Sequence, residues 1–312
     1  MVRYVAQRLL FSIPVFLGVV TIVFFVVRVI PGDPATAALG DYASKEAVEA
    51  LRQRMGLEAP LPVQYLRFLG DLLRGDLGVS LITGASIREQ ITHALPYTLE
   101  LTVVAILIGS VLGIPIGVHT AIRRNRLADY VGRVLSLTGL SVPAFYLGIL
   151  LILLLAIRFQ WLPAVGGGGR DDLAETARHL VLPALTLGLV MTASVARLTR
   201  SAMLNVLGQD YVRTARAKGL REAVVRLRHA LRSALIPIVS ITGIWAVSLV
   251  GDSVTVEVVF ARPGLGKMMV GAILQRDYTA LQSIMVVYTA FVVAINLATD
   301  LIYGWVDPRI RH

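Results

Sequence analysis

The sequence predicts an all-α polytopic membrane protein with six transmembrane helices and both termini in the cytoplasm. Three observations carry this reading: the composition, the length of the apolar runs, and the placement of positive charge. Of the 312 residues, 56% are hydrophobic and only 16% charged, where a soluble domain carries about 25% charged residues. Mean hydropathy is +0.72. The formal charge of +10 suggests nucleic acid in a soluble protein, but its distribution along the chain points elsewhere.

Six apolar stretches meet the requirement of roughly 20 helical residues for crossing a bilayer core: 9–30, 98–122, 134–157, 180–198, 235–259 and 283–303. The first is too long for a signal-peptide core and lacks a small-residue cleavage site after it, so it reads as a retained span. With both termini inside, the cytoplasmic segments hold Arg3 and Arg8; Arg123, Arg124, Arg126 and Arg133; nine basic residues from Arg197 to Arg232; and Arg309 and Arg311. These 17 face only Asp129, Asp210, Glu222 and Asp307, whereas the opposite side carries 11 basic and 12 acidic residues. Lys and Arg concentrate on the cytoplasmic side of membrane proteins. Topology therefore accounts for the net charge, and no nucleic-acid partner is needed.

Three polar regions fall outside. Residues 31–96 open with PGDP and contain AVEALRQRMGL and VQYLRFLGDLLRGDLG, whose leucines and aromatics at helical spacing predict short amphipathic helices. Residues 163–179 contain GGGGR and read as a flexible loop. Residues 260–282 contain a Pro-Gly-Leu-Gly turn before an amphipathic stretch too short to span. The organisation expected is an N-terminal span with its outer region, 1–94, followed by a membrane core, 95–312, carrying a cytoplasmic segment at about 200–233.

No catalytic or metal-binding constellation appears. His93, His119, His179, His229 and His312 are scattered without ligand spacing, and there is no cysteine. Neither a GxSxG elbow nor a GxxxxGK[ST] phosphate loop is present, so hydrolysis of ATP by a P-loop mechanism in this chain is excluded. The expectation is no catalytic residue and no metal.

Ionisable residues within spans are costly and tend to face a bundle interior or a wet cavity. Arg28 and Arg158 lie near span ends, where their stems can snorkel; Glu100 and Asp300 are also interfacial. Asp252 lies well inside the fifth span, beside Ser253 and Thr255. It reads either as polar lining of a solute path or as a helix–helix hydrogen bond or ion pair, with Arg28 as a candidate partner. Glu257, five residues on, does not stack on the same face and is expected to pack at the outer loop with Pro263, Gly264 and Gly266. Pro14, Pro115, Pro143 and Pro237 read as kinks. Gly109, Gly113 and Gly117 form a GxxxGxxxG pattern that permits close helix approach.

The segment DYVRTARAKGLREAVVRLRHALR, 210–232, is a basic insert between two apolar spans. Its first half is a short helix bearing Tyr211, Ala215 and Ala217, ended by Gly219 in the positive-φ position of a helix C-terminus. Its second half carries an apolar stripe of Val224, Leu227, Ala230, Leu231 and Leu235. A stripe of that kind suits an anionic lipid surface. The smoother first half suits insertion into a groove on a partner protein.

This segment resembles the coupling motif of binding-protein-dependent ABC importer permeases, whose general form is EAA, three residues, Gly, then a later Leu-Pro. With Gly219 aligned, Arg213, Thr214 and Ala215 take the EAA positions, of which Ala215 matches, and Pro237 falls later than the general spacing. The dipeptide/oligopeptide (DppB/OppB-like) branch is similar over nearly the whole chain. The shared blocks are RVIPGDPA, MGLEAPLPVQYLRFLGDLLRGDLGVS, LPYTLELT, DYVRTARAKGL with HALRSALIP, VEVVFARPGLG with ILQRDY, and DPRIR.

The resemblance implies a type I ABC importer permease fold in a prokaryotic inner membrane. It implies a second homologous permease subunit, two ATP-binding subunits or one fused ATPase chain, and an extracytoplasmic solute-binding protein. ATP and Mg2+ would sit in the ATPase subunits, with no cofactor in this chain. The ATPase-coupling residues it implies are Tyr211, Arg213, Thr214, Ala215, Arg216, Ala217 and Gly219. Relatives handle di- and oligopeptides, glutathione, nickel chelates and other small solutes, with peptide the default. A secondary transporter, a membrane enzyme and a lipid-binding scaffold are the rival classes; inverted repeats, a cluster of ionisable groups, and the basic insert standing alone would respectively favour them.

Overall fold

In hydrocarbon, backbone N–H and C=O groups have no water to bond, so long apolar runs take up the helix, which satisfies them internally. A computed structural model describes residues 2–29, 34–39, 43–54, 56–169 and 171–306. Among these residues regular structure is helical, apart from one isolated antiparallel bridge between Val79 and Ser86. The terminal DPRIR block and most of PGDP lie outside the described residues.

The helices in chain order are α1 (Val2–Val29), α2 (Pro34–Leu39), α3 (Lys45–Arg54), α4 (Leu61–Leu73), α5 (Ile87–Ile122), α6 (Leu127–Ser141) and α7 (Ala144–Leu151). Then follow α8 (Leu173–Leu207), α9 (Asp210–Ala217), α10 (Glu222–Val224), α11 (Arg232–Val259), α12 (Leu265–Leu274) and α13 (Tyr278–Val306). π-helical turns continue α7 through Ile152–Arg158 and join α10 to α11 through Val225–Leu231. Five helices are long and apolar enough to cross a membrane unbroken, and a sixth crossing is made by α6 with α7 if the bent pair counts as one span.

The bend of 103° within that pair has a local cause. A residue before proline is pushed out of the helical region by clash with the ring. Val142, before Pro143, accordingly sits at φ −90°, ψ 119°. The expected kink is thus a break between two helices. By contrast Pro237 lies inside α11 without ending it. The predicted second half of the cytoplasmic insert is likewise continuous with the fifth span, as one helix over Glu222–Val259. The outer loop before α8 is shorter than expected, because Asp172 caps the helix by accepting from Ala174 N and Glu175 N at 2.8 and 3.2 Å.

The chain divides into two compact units, each discontinuous in sequence. The larger comprises Met1–Leu10, Thr98–Arg262 and Ala294–His312. Its core gathers Leu101, Leu182, Leu187, Met191, Leu249, Val256 and Phe260. The glycine stripe of α5 lies against α8: a Cβ on Gly117 would come within 2.5 Å of the Ala196 carbonyl oxygen. Gly109 and Gly113 meet Met191 and Val195 in the same way. Only a bare backbone permits this approach. Within this unit, Arg8 pairs with Asp300 at 3.1 Å.

The second unit comprises Phe11–Tyr97 and Pro263–Val293. Val23, Val27, Ile87, Ile91, Leu265, Leu281 and Ile284 form its core. Tyr65 and Phe68 of α4 pack on Phe24, with centroids at 5.1 and 5.6 Å. Arg28 donates to the side-chain oxygens of Gln64 and Gln282 and to the Phe24 carbonyl. Its acceptors, all neutral, come from within its own unit. Asp277 accepts from Ser80 Oγ at 2.5 Å and from Ala280 N at 3.0 Å, capping α13.

Candidate functional site: the α9 helix and its seat

α9 is amphipathic, and its two faces do different work. Val212 and Ala215, at i and i+3, share one face. Both are buried against Val225, with Val206 and Leu207 beside them. Tyr211, Arg213, Thr214 and Ala217 are exposed, Tyr211 by 45%. The structure therefore assigns Ala215 to the seat of the helix and leaves Tyr211, Arg213, Thr214 and Ala217 on the free face.

The helix ends in a full glycine cap. Gly219 has φ +75°; its N–H donates to Arg216 O at 2.9 Å, and Leu220 N–H donates to Ala215 O at 3.4 Å. This is the 5→2 and 6→1 pairing of a Schellman turn. Beyond it, Glu222 receives Arg216 Nε at 2.9 Å on one oxygen and Arg226 Nε at 3.0 Å on the other. The fork ties α9 to the start of the helix that becomes the fifth span. Its members are 37–47% exposed, so each pair is worth at most about 1 kcal/mol. Position is set mainly by the buried valines and the cap.

A second tie lies close in sequence to α9. Asp129, fully buried, accepts from Arg200 Nε and Nη2 at 2.6 and 2.8 Å and from Asn125 N at 2.9 Å. It holds the α5–α6 turn, where Asn125 has φ 61°, to the end of α8 ahead of α9. Sequence reasoning counted Asp129 as an ordinary loop charge. The available signal was its position as the one acid among Arg123, Arg124, Arg126 and Arg133.

The polar residues of the fifth span do not converge. Ser253 is fully buried and donates to Val250 O at 2.8 Å. Thr255 is exposed and donates to Asp252 O. Asp252 is half-buried, and its carboxylate has no hydrogen-bond or ion-pair partner among the described residues. Glu257 is fully buried and accepts from Thr98 Oγ1 at 2.6 Å. Arg262, also fully buried, bonds Glu100 Oε2 at 3.0 Å; this pair, 162 residues apart in sequence, left no local signal. In the other unit, Gly264 precedes α12 and is buried with Gly266, while Pro263 is exposed.

Residues 113–312 match the family described as binding-protein-dependent transport system inner membrane component, and residues 1–102 match the N-terminal domain of such membrane components. The chain belongs to this family. The permease is 41% identical to the glutathione transport system permease protein GsiC of Pectobacterium atrosepticum, over the whole of both chains. It is 39% identical to the dipeptide transport system permease protein DppB of Alkalihalophilus pseudofirmus, again over both whole chains. Against the di/tripeptide permease DppB of Pseudomonas aeruginosa, identity is 38% over all of this chain and 99% of that one. Among solved structures, the inward-facing MetNI methionine ABC transporter aligns with TM-score 0.55 and 21% identity, covering 70% of this chain and 96% of that one. The permease thus has the type I ABC importer permease fold, is a multi-pass inner-membrane protein, and is the permease subunit of an ABC importer. Membership of a binding-protein-dependent system implies a binding protein and an ATPase as partners.

Proposed function

We propose that this permease forms half of an ATP-driven path for short peptides and receives mechanical work through the free face of α9. Its partners are a second related permease, two ATP-binding subunits or one fused ATPase chain, and an extracytoplasmic solute-binding protein. ATP and Mg2+ are bound by the ATPase subunits, and this chain carries out no covalent chemistry. Both termini and α9 lie on the cytoplasmic side, following the distribution of Lys and Arg.

The observation that carries the mechanism is the continuity of Glu222–Val259. A helix of 38 residues is roughly 55 Å long at ~1.5 Å per residue. Its first turn is tied to α9 through Val225 and Glu222, and Asp252 lies near its far end. A displacement of α9 by a closing ATPase dimer is therefore passed along one rod to the interior of the membrane. This switches a bistable assembly between inward-open and outward-open states. Tyr211, Arg213, Thr214 and Ala217 contact the ATPase groove; Ala215, Arg216 and Gly219 hold the contact in place. Asp252 and Thr255 border the path, and Glu257 braces the outer end.

The peptide reading rests on relatives at 38–41% identity named for dipeptides, di/tripeptides and glutathione, all short peptides. The test reconstitutes the permease with its co-purifying subunits and binding protein, then measures uptake of labelled dialanine and glutathione. ATP-dependent uptake of either supports the proposal. Uptake that persists without ATP refutes the importer mechanism, and ATP-dependent uptake of a nickel chelate alone moves the substrate class.

A further inference from the structure

At the end of the larger unit that carries α9, helices α5, α6 and α8 enclose a cavity of 240 Å³. That is room for about eight waters at ~30 Å³ each. Arg133, Arg197 and Arg200 line it together with the hydroxyls of Thr120, Ser136 and Ser201. One carboxylate, Asp129, faces this group, and it is committed to Arg200 through two short bonds. Arg133 stands 3.9 Å from Asp129 and 44% exposed. Arg197 is exposed and has no ion-pair partner among the described residues. Arg133 also lies over the Tyr130 ring, so three guanidinium groups, of which Arg197 is the one without an ion pair among the described residues, meet a single carboxylate at the cavity.

The second observation is Ser136. It is 7% exposed and lines the cavity, and its hydroxyl has no hydrogen-bond partner among the described residues. Its oxygen opens onto the cavity, where it can donate to an acceptor that arrives from outside the chain. The cavity is also walled by Ile116 and Leu137. It adjoins exposed apolar residues of α6, including Val134 (61%) and Leu135 (65%). A free inorganic anion gains nothing from such a wall. A molecule with a phosphate head and a hydrocarbon tail uses both parts.

We infer that this cavity binds the phosphodiester head of an anionic membrane lipid, with Arg133 and Arg197 taking the charge and Ser136 donating to a phosphate oxygen. Its place in the cytoplasmic leaflet rests on the orientation proposed above. The binding itself does not, and its test reads lipid rather than transport.

The full chain, purified with its co-purifying subunits, is placed in phosphatidylcholine nanodiscs containing graded phosphatidylglycerol, and retained lipid is measured by native mass spectrometry. The double variant Arg133→Gln/Arg197→Gln should bind phosphatidylglycerol about fivefold more weakly for each guanidinium removed. Ser136→Ala should weaken it further, with the fold intact by circular dichroism. Arg123→Gln/Arg124→Gln, two exposed arginines outside the cavity, should weaken binding clearly less than the cavity pair. The inference is overturned if the Arg133/Arg197 variant holds phosphatidylglycerol like wild type, or if the Arg123/Arg124 variant loses it equally. It is also overturned if soluble glycerol phosphate displaces the lipid at equal concentration.

Discussion

Replacing Gly219 with valine tests whether the geometry of α9 matters for coupling, because the substitution acts on the backbone alone. A Cβ at this position meets nothing within 4 Å, so no clash is introduced. The φ of +75° is another matter. The left-handed region costs a non-glycine residue about 1–2 kcal/mol, and a β-branched residue is an outlier there. Leaving that region breaks the bonds from Gly219 N to Arg216 O and from Leu220 N to Ala215 O, each worth about 0.5–1.5 kcal/mol net. The two costs are alternatives, and either one, about 1–2 kcal/mol of strain or about 1–3 kcal/mol of lost bonds, is enough to loosen the cap locally. Either is small beside the membrane core, so insertion and expression should hold. Gly219→Asn is the control, since asparagine visits the left-handed region routinely. In proteoliposomes containing the whole importer, ATP hydrolysed per solute imported should rise severalfold for Gly219→Val and stay near wild type for Gly219→Asn. Normal coupling in the valine variant would refute the claim that the cap sets the position of α9.

Four further outcomes follow from the packing. Arg213→Glu, on the exposed face, should reduce ATPase co-purification without lowering the melting temperature, whereas Ala215→Glu places a charge among Val212 and Val225 and should lower the melting temperature as well. Gly117→Val puts a Cβ within 2.5 Å of the backbone oxygen of Ala196, so yield of folded protein in detergent should fall sharply by size-exclusion chromatography. Asp129→Ala leaves Arg200, itself 20% exposed, without its bidentate partner; loss of hydrogen bonds to a charged group costs about 1.5–3 kcal/mol, and thermal unfolding should register it. Asp252→Asn should change transport rate at normal expression if the half-buried carboxylate borders the path; reduced expression with normal specific activity would show a packing role instead.

Much of this was legible along the chain because hydrophobic length and cap chemistry are local properties. The glycine at 219 announced its positive φ, and Gly109, Gly113 and Gly117 announced a close helix approach, though not that the partner would be α8. Pro143 announced an irregularity, though not that Val142 would turn fully extended and split the span by 103°. What stayed hidden was long-range pairing. Asp129 with Arg200, Glu100 with Arg262 and Arg28 with Gln64 and Gln282 join residues whose proximity is created by tertiary packing. The direction of Ala215 was hidden for a related reason. An alanine on a short amphipathic helix fits a partner's groove and its own core equally well, and only the position of Val225 decides between them.

The chain contains no cysteine, so Tyr211→Cys supplies a single thiol on the free face of α9. Thiol cross-linking of that variant in native membranes, followed by identification of the linked protein, tests the central claim most directly. The account predicts a cross-link to the ATP-binding subunit whose yield changes when ATP is added. Cross-linking to no ATP-binding subunit, in membranes where Tyr211→Cys still imports solute, would contradict it.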